Sequence, residues 1–481
     1  MTRRYIPYSI PPEQYCSDFP FNNRIVLKEL ARGMELPPVR TIESIGANSN
    51  GNLVLHGDCI SACAFLKERN IAVDLVYIDP PFASGADYEK KIHIRPTMSH
   101  ADSGCFFRET EYEDVWGKKE YLSWMYKNLC AIKSVMSGNA SIFIHLDRHA
   151  GHYVKILLDY LFGEDNFQNE IIWHYRTGGR TEKHFARKHD TIFWYTMNPE
   201  NYVFHPEAVS EYRGAQKRNN MKKVTGEDGR VYYSIHSAGK EYRYYEDDKI
   251  IPDDVWDIPH IQQKAPERTG YATQKPAALL ERIIMACSEP GMTVADFFGG
   301  SGVTAAVAGL AGRHFIHGDA GFHSIQTVRD RLVSDKQSFD ILSLHKTDVP
   351  PARDHAEFSL RQTNGVFQIT IRKFDSLSVR EKINILRGKK DGTGDKIPDD
   401  GSNLGWIEFV SADCTAAEGT WHSDSEIRME NNGSTIINGV KSKNLWNGTI
   451  STMQTPLRLK IRNICGGETI FPLPRIIVPG Q

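Results

Sequence analysis

Asp74-Leu-Val-Tyr-Ile-Asp-Pro-Pro-Phe82 is the stretch that decides the fold. Asp74 to Ile78 reads as a short apolar strand, and two prolines follow one residue later. Proline has no N–H for a ladder and fixes its own φ, so Pro80 and Pro81 force a stiff exit at the strand's C-terminal end. In an open α/β sheet that end is where ligands bind. Asp79 places an acceptor-only carboxylate there, the rigid proline backbone leaves a carbonyl free as a second acceptor, and Phe82 adds a flat apolar face. Two convergent acceptors suit one NH2 group on a heteroaromatic ring. Accepting its protons localises the nitrogen lone pair toward an electrophile while the ring stacks on Phe82. Taken alone, Asp-Pro-Pro is more often a turn with a capping carboxylate, so the reading rests on a second motif.

That motif is Asp296-Phe-Phe-Gly-Gly-Ser-Gly-Val-Thr304, which ends an apolar strand, Thr293 to Phe297, and opens an Ala/Val-rich helix, Thr304 to Leu310. Glycines at such a turn let backbone approach a ligand closely, and a helix N-terminus offers donors to a carboxylate. Dinucleotide-binding proteins use related loops, so this motif is also weak alone. The next strand, His314 to His317, leads into Gly318-Asp319. An acid there binds ribose hydroxyls or caps the following helix. Thr273-Gln274-Lys275-Pro276 precedes an amphipathic helix, Leu279 to Met285, and by itself marks only a loop and a helix start.

In this order the segments resemble the beta class of DNA amino-methyltransferases, in which an Asp-Pro-Pro-aromatic motif precedes the cofactor loop. The resemblance runs from about Gly51 to Leu332. It implies a circularly permuted, Rossmann-like α/β sheet of seven strands, whose chain order is the third to seventh strands of the methyltransferase sheet followed by the first two. It implies S-adenosylmethionine as cofactor, no metal, and methyl transfer to the exocyclic N6 of adenine in a flipped-out base. N4 of cytosine is the nearest alternative, and Asp rather than Ser at position 79 favours adenine. The implied catalytic residues are Asp79, Pro80, Pro81 and Phe82. The implied cofactor residues are Thr273, Gln274, Lys275, Pro276, Asp296, Phe298, Gly300, Ser301, Gly302, Thr304 and Asp319. Asp58, in Leu55-His-Gly-Asp58, matches a position that faces the cofactor's adenine and reads equally as a helix cap. The loop departs from the family pattern at Phe297 and Val303, where Pro and Thr are usual. Asn166-Phe-Gln-Asn-Glu-Ile-Ile-Trp173, with Gly178-Gly179 and Lys188-His-Asp190, also looks like the modification subunits of Type III restriction systems and their orphan relatives.

Seven strands are expected, at Leu53–Leu55, Asp74–Ile78, Ser141–Leu146, Glu170–His174, Thr191–Tyr195, Thr293–Phe297 and His314–His317. Residues 1–50 read as an extension, 51–337 as the catalytic domain, and 338–481 as a β-rich accessory domain whose segments, such as Val366 to Arg372 and Leu457 to Arg462, alternate as strands with one wet face. Deleting that last region is expected to spare cofactor binding. The polar, aromatic and basic stretch 196–269 breaks the α/β alternation and reads as an insertion.

The chain carries 58 Lys and Arg against 60 Asp and Glu, so any surface for nucleic acid must be local. Arg176, Arg180, Lys183, Arg187 and Lys188 form one basic stretch opposed only by Glu182. Arg213, Lys217, Arg218, Lys222 and Lys223 lie among tyrosines in the insertion, where the family carries its target-recognition region. Composition alone would make that run a solvated face. The resemblance implies double-stranded DNA as partner and leaves a homodimer and a restriction subunit open. Eight scattered cysteines without a CxxC pair argue against a zinc site or a disulfide framework. With no apolar run near the roughly 20 residues that span a bilayer and no signal-peptide core, the expected location is the cytoplasm. A nucleotide-binding oxidoreductase would own the glycine turn but has no use for Asp79 to Phe82, and a DNA-binding module that has lost catalysis is the non-enzymatic reading.

Overall fold

A computed structural model describes residues 3–9, 24–47, 49–82, 87–95, 106–113, 117–175, 181–215, 220–345, 353–387, 401–430 and 434–474. Its central sheet takes eleven strands, in chain order β1 (Arg40–Ile45), β2 (Leu53–His56), β3 (Val73–Ile78), β4 (Met136–Leu146), β5 (Phe167–His174), β6 (His189–Thr196), β7 (Val255–Asp257), β8 (Thr293–Asp296), β9 (His314–Asp319), β10 (Phe339–Ser343) and β11 (Trp421–His422). Their spatial order is β7-β5-β6-β4-β3-β8-β9-β2-β10-β1-β11. The seven expected strands form the continuous run β5-β6-β4-β3-β8-β9-β2, with β6 antiparallel to both neighbours and β4 to β2 parallel. This is the permuted methyltransferase sheet.

Both faces of the parallel strands are covered, which is why β3 reads as an unbroken apolar run. Val76 and Ile78 pack under the helices Cys59–Glu68, Lys118–Lys133 and Gly151–Phe162. Leu75 and Tyr77 pack under Ala277–Cys287, Val303–Leu310 and Phe322–Ser334 on the other face.

The sheet does not stop at the expected domain limits. β1 comes from the N-terminal 50 residues, and β10 and β11 from beyond 338. Without β10, β2 would leave a row of backbone donors and acceptors unpaired beside a buried core, and sheets rarely tolerate such an edge. The insertion holds a three-stranded antiparallel sheet, Lys222–Thr225, Val231–Ser237 and Lys240–Tyr245, before β7 returns to pair with β5.

The C-terminal region is β-rich as expected, with a six-stranded antiparallel sheet built around Ile407–Asp413 and Arg458–Asn463. The wet face expected for Leu457 to Arg462 is absent. Arg458, Lys460 and Arg462 are all buried. Each meets a carboxylate: Arg458 meets Asp413, Lys460 meets Glu43 of β1, and Arg462 meets Asp330 and Glu468. Arg329, also buried, bonds Glu43 and Glu426 at 2.6 Å each. Helix Phe322–Ser334, strand β1 and the C-terminal sheet therefore share one internal charge network. Paired burial is the condition under which charged residues enter a core.

Candidate active site

Strands β3 and β8 are parallel neighbours, with Leu75 opposite Val294 and Val76 opposite Ala295. β9 follows β8 with Asp296 opposite His317, and β2 follows β9 with Asp319 opposite His56. Asp79, Asp296, Asp319 and Asp58 therefore leave the sheet along one edge, at the C-terminal ends of four consecutive strands.

Asp79 is held by a buried cation. Its Oδ2 accepts from Lys275 Nζ, and its Oδ1 is buried without a partner among the described residues. The Lys275 ammonium also lies 5.6 Å from the centre of the Phe82 ring. The resemblance assigns Lys275 to the cofactor; in the structure its ammonium lies on the carboxylate of the other motif. Pro80 is buried and Pro81 half-buried, and the two prolines turn the chain so that Phe82 lies beside the strand ends.

Behind Phe82 stands a set of side chains that motif reading missed. The imidazole of His145, on β4, stacks on Phe82 with the rings 6.3 Å apart and 19° from parallel. His145 is fully buried, 2.9 Å from Tyr77 Oη through Nδ1 and 3.2 Å from Asp190 Oδ2 through Nε2. A carboxylate only accepts, so Nε2 is the nitrogen that donates to Asp190, and the Tyr77 hydroxyl meets the ring at Nδ1. Burial first, then the charges of Asp79, Asp296 and Asp190, hold the Tyr77 hydroxyl well above its ordinary range, which keeps it a donor. Asp190 is pushed up by burial but ends below the ordinary carboxylate range, because the bond and charge of His145 and the charge of Lys275 outweigh that cost. Its other oxygen accepts from Tyr175 Oη at 3.2 Å. Trp173 meets His145 edge-on, and His260 lies against both Trp173 and Tyr175. The visible signal was a histidine inside the apolar run Ser141 to Leu146, but a lone histidine there reads as a core residue.

The glycine loop is shaped by its own strain. Gly300 and Gly302 have φ of +48° and +73°. A Cβ on Gly302 would run into Val328, and one on Gly300 would sit 3.1 Å from the Tyr271 ring. Asp296 accepts from Thr304 Oγ1 at 2.7 Å and from the Phe298 amide at 3.1 Å, so the first acid of the motif ties the loop's two ends together. Burial pushes its carboxyl up to about 7, with Asp79 and Asp319 adding to the rise. Asp319 accepts from the amides of Gly300 at 2.9 Å and Gly321 at 2.7 Å. It thus anchors the glycine loop and also the turn at Gly321, the N-cap of the next helix. Burial raises its carboxyl as well. Ser301 and Thr304 are buried, and Phe298 packs edge-on against Trp124.

Gln274 accepts from the Thr269 amide and hydroxyl at 2.8 Å each and donates to the Glu267 carbonyl. Glu267 in turn accepts from the Ala277 amide at the start of helix Ala277–Cys287. Gln274 thereby holds the turn that delivers Lys275, and Pro276 is that helix's N-cap. Thr273 is half-buried in the same turn. Asp58 caps helix Cys59–Glu68 through the Ser61 amide and hydroxyl, each at 2.9 Å.

Of the candidate DNA contacts, Arg176, Arg180, Lys217 and Arg218 lie outside the described residues. Lys183 and Arg187 are exposed on the loop between β5 and β6, and Lys188 is half-buried at its end. In the insertion, Lys223 pairs with Glu246, Arg213 lies over the Tyr244 ring, and Lys222 is exposed. Much of the insertion's charge is therefore internal, as Arg230 with Asp247 and Arg243 with Glu241 also show.

Strand order, permutation and the two loops together define an α/β methyltransferase. Residues 73–326, more than half of the chain, match the DNA methylase family of N6/N4 methyltransferases, and the chain belongs to that family. It is 25% identical over 264 residues to the DNA adenine methyltransferase YhdJ of Escherichia coli, covering 55% of this chain and 76% of that protein. It is 26% identical over 288 residues to the Type II methyltransferase M.HpaI of Haemophilus parainfluenzae, covering 59% of this chain and 75% of the other. Among solved structures it is similar to the M1.HpyAVI–SAM complex, with 18% identity and a TM-score of 0.35 over 58% of this chain and 98% of the other. Among the described residues, no helix is long and apolar enough to cross a membrane.

Proposed function

We propose that this chain methylates the exocyclic N6 of adenine in double-stranded DNA, using S-adenosylmethionine, on a base turned out of the helix into the space beside Asp79 and Phe82. The observation that carries the reading is Asp79 itself, with one carboxylate oxygen fixed by a buried lysine and the other buried and, among the described residues, unpartnered at the edge where the glycine loop ends. A buried acceptor without a donor costs free energy unless a ligand supplies one.

The residues fit the cofactor. The glycine turn lies at the C-terminal ends of the strands in a backbone shape that a Cβ at Gly302 would break against Val328, and the acids of two neighbouring strands hold it in place. When bound, S-adenosylmethionine supplies an electrophilic methyl group. Asp79 Oδ1 accepts one proton of the target amine and so aims the nitrogen lone pair. Lys275 fixes the rotamer of the carboxylate. Phe82, backed by His145, offers the base a flat surface to stack on. After transfer the nitrogen loses one proton to solvent. Positioning and electrostatics suffice for this step, with no covalent intermediate.

Adenine over cytosine is supported by Asp at position 79 and by the name of the YhdJ relative. The Type II relatives support a role beside a restriction enzyme, and a soluble cytoplasmic enzyme follows from a DNA substrate. The test is incubation of the protein with labelled S-adenosylmethionine and unmethylated DNA, digestion to nucleosides, and repetition with Asp79→Ala. Label in N6-methyladenine that vanishes in the variant is the expected result. Label in N4-methylcytosine would move the target base and keep the mechanism, and no label in any base would overturn the reading.

A further inference from the structure

The loop between β5 and β6 presents Phe185 at 98% exposure, the most exposed large apolar side chain among those described. A lone exposed apolar residue needs no explanation by itself; the surroundings of this one supply a reason. Lys183, His184 and Arg187 flank it and are exposed, and no ion pair engages any of the three among the described residues. The His184 ring bonds the Phe185 carbonyl at 3.0 Å, and the Lys183 amide bonds Thr181 Oγ1, so the backbone around Phe185 is internally tied.

The root of the loop is joined to the candidate base pocket. The Tyr175 amide donates to the Lys188 carbonyl, Tyr175 Oη bonds Asp190, and Asp190 bonds the His145 that stacks on Phe82. An exposed aromatic ring flanked by cations, on a connection whose two ends reach the pocket, suits one occupant: the base stack of a duplex, with the cations on the flanking phosphates.

We infer that Phe185 is the wedge that enters the base stack and fills the gap left by the extruded nucleotide. This rests on the transferase reading above. Extrusion breaks stacking on both sides of the target, and an inserted ring restores part of it. The wedge therefore matters only where there is a paired base to displace.

The test compares the full-length protein with Phe185→Ala and Phe185→Trp. Methylation sequencing of DNA treated with the wild type supplies the target sequence. Two duplexes are then made, one with the target base paired and one with it opposite an abasic site. Phe185→Ala is expected to methylate the paired duplex at least about tenfold more slowly and to recover to within a few-fold of the wild type opposite the abasic site. Phe185→Trp is expected to retain activity on both. An Ala variant unimpaired on the paired duplex, or equally impaired on both, overturns the wedge. Because the side chain is exposed, an unchanged melting temperature separates these results from misfolding. A wild type that labels neither duplex overturns the transferase reading and the wedge with it, a result recognisable because it appears before any substitution.

Discussion

Replacing Arg329 with Leu should cost the protein much of its stability and loosen the cofactor loop, although Arg329 touches neither motif. Its guanidinium bonds Glu43 of β1 at 2.6 and 3.0 Å and Glu426 of the C-terminal sheet at 2.6 Å, in surroundings that leave its side chain 3% exposed. Leucine would leave two buried carboxylates short of a cation. Breaking a buried pair by removing one partner costs about 3–5 kcal/mol. The electrostatics of Glu43 give the same order. Although burial pushes the Glu43 carboxyl up, Arg329 and Lys460 bring it down to about 2 from 4.5, a differential interaction of order 3 kcal/mol at about 1.4 per pH unit. Because this pKa is depressed on folding, the stabilisation is present above pH 4.5 and is lost as pH falls from 4.5 toward 2. With only Lys460 remaining, Glu43 should protonate at higher pH, and acid unfolding should begin earlier. Thermal unfolding at neutral pH should show a loss of roughly 5–10 °C. The same helix carries Ser324, which donates to the Gly300 carbonyl, and Val328, which closes on Gly302. Weaker S-adenosylmethionine binding by calorimetry should therefore accompany the loss, and deletion of the C-terminal region should not spare cofactor binding as its sequence suggested. A Leu variant with wild-type melting, acid limb and cofactor affinity would refute the coupling.

Three further outcomes are expected. Lys275→Met should lower kcat about 10- to 100-fold, the range for losing one charge-assisted hydrogen bond, with cofactor affinity nearly unchanged; a loss confined to cofactor affinity would return Lys275 to the role its motif suggested. Gly302→Ala, which pairs a φ of +73° with a collision against Val328, should abolish measurable cofactor binding by calorimetry while far-UV circular dichroism stays close to wild type. Asp296→Asn should flatten a pH dependence of the opposite sign to that of Glu43. The Asp296 carboxyl is raised to about 7 from 3.8, chiefly by burial, so its contribution is fullest below pH 4 and is lost as pH rises to 7. Melting temperatures measured from pH 4 to 8 should fall less in the variant, and parallel curves would contradict the assignment.

What the sequence disclosed and what it concealed divide along a physical line. The two loops were legible because backbone chemistry dictates them: Pro80 and Pro81 can only leave a strand, and Gly300 and Gly302 are needed at positive φ. The seven strands followed from apolar runs covered on both faces. The pocket behind Phe82 was not legible, since His145, Trp173, Tyr175, Asp190 and His260 come from segments that meet only when β4, β5, β6 and β7 pair. The sheet's outer strands were hidden for a related reason, because β1 and β11 earn their place through long-range pairing and carry no strong local signal. Leu457 to Arg462 is the instructive failure. Its alternation is a true strand signal, but period two reports only which residues share a face. Whether a face bearing Arg458, Lys460 and Arg462 meets water or carboxylates depends on Asp413, Glu43, Asp330 and Glu468. Three of those acids lie between 45 and more than 400 residues away in sequence. Such a face behaves as a lock rather than a surface, because it closes only when every partner element is already in place. The N-terminal strand, the helix beneath the cofactor loop and the C-terminal sheet are therefore better regarded as one cooperative unit than as an extension, a catalytic domain and an appendage.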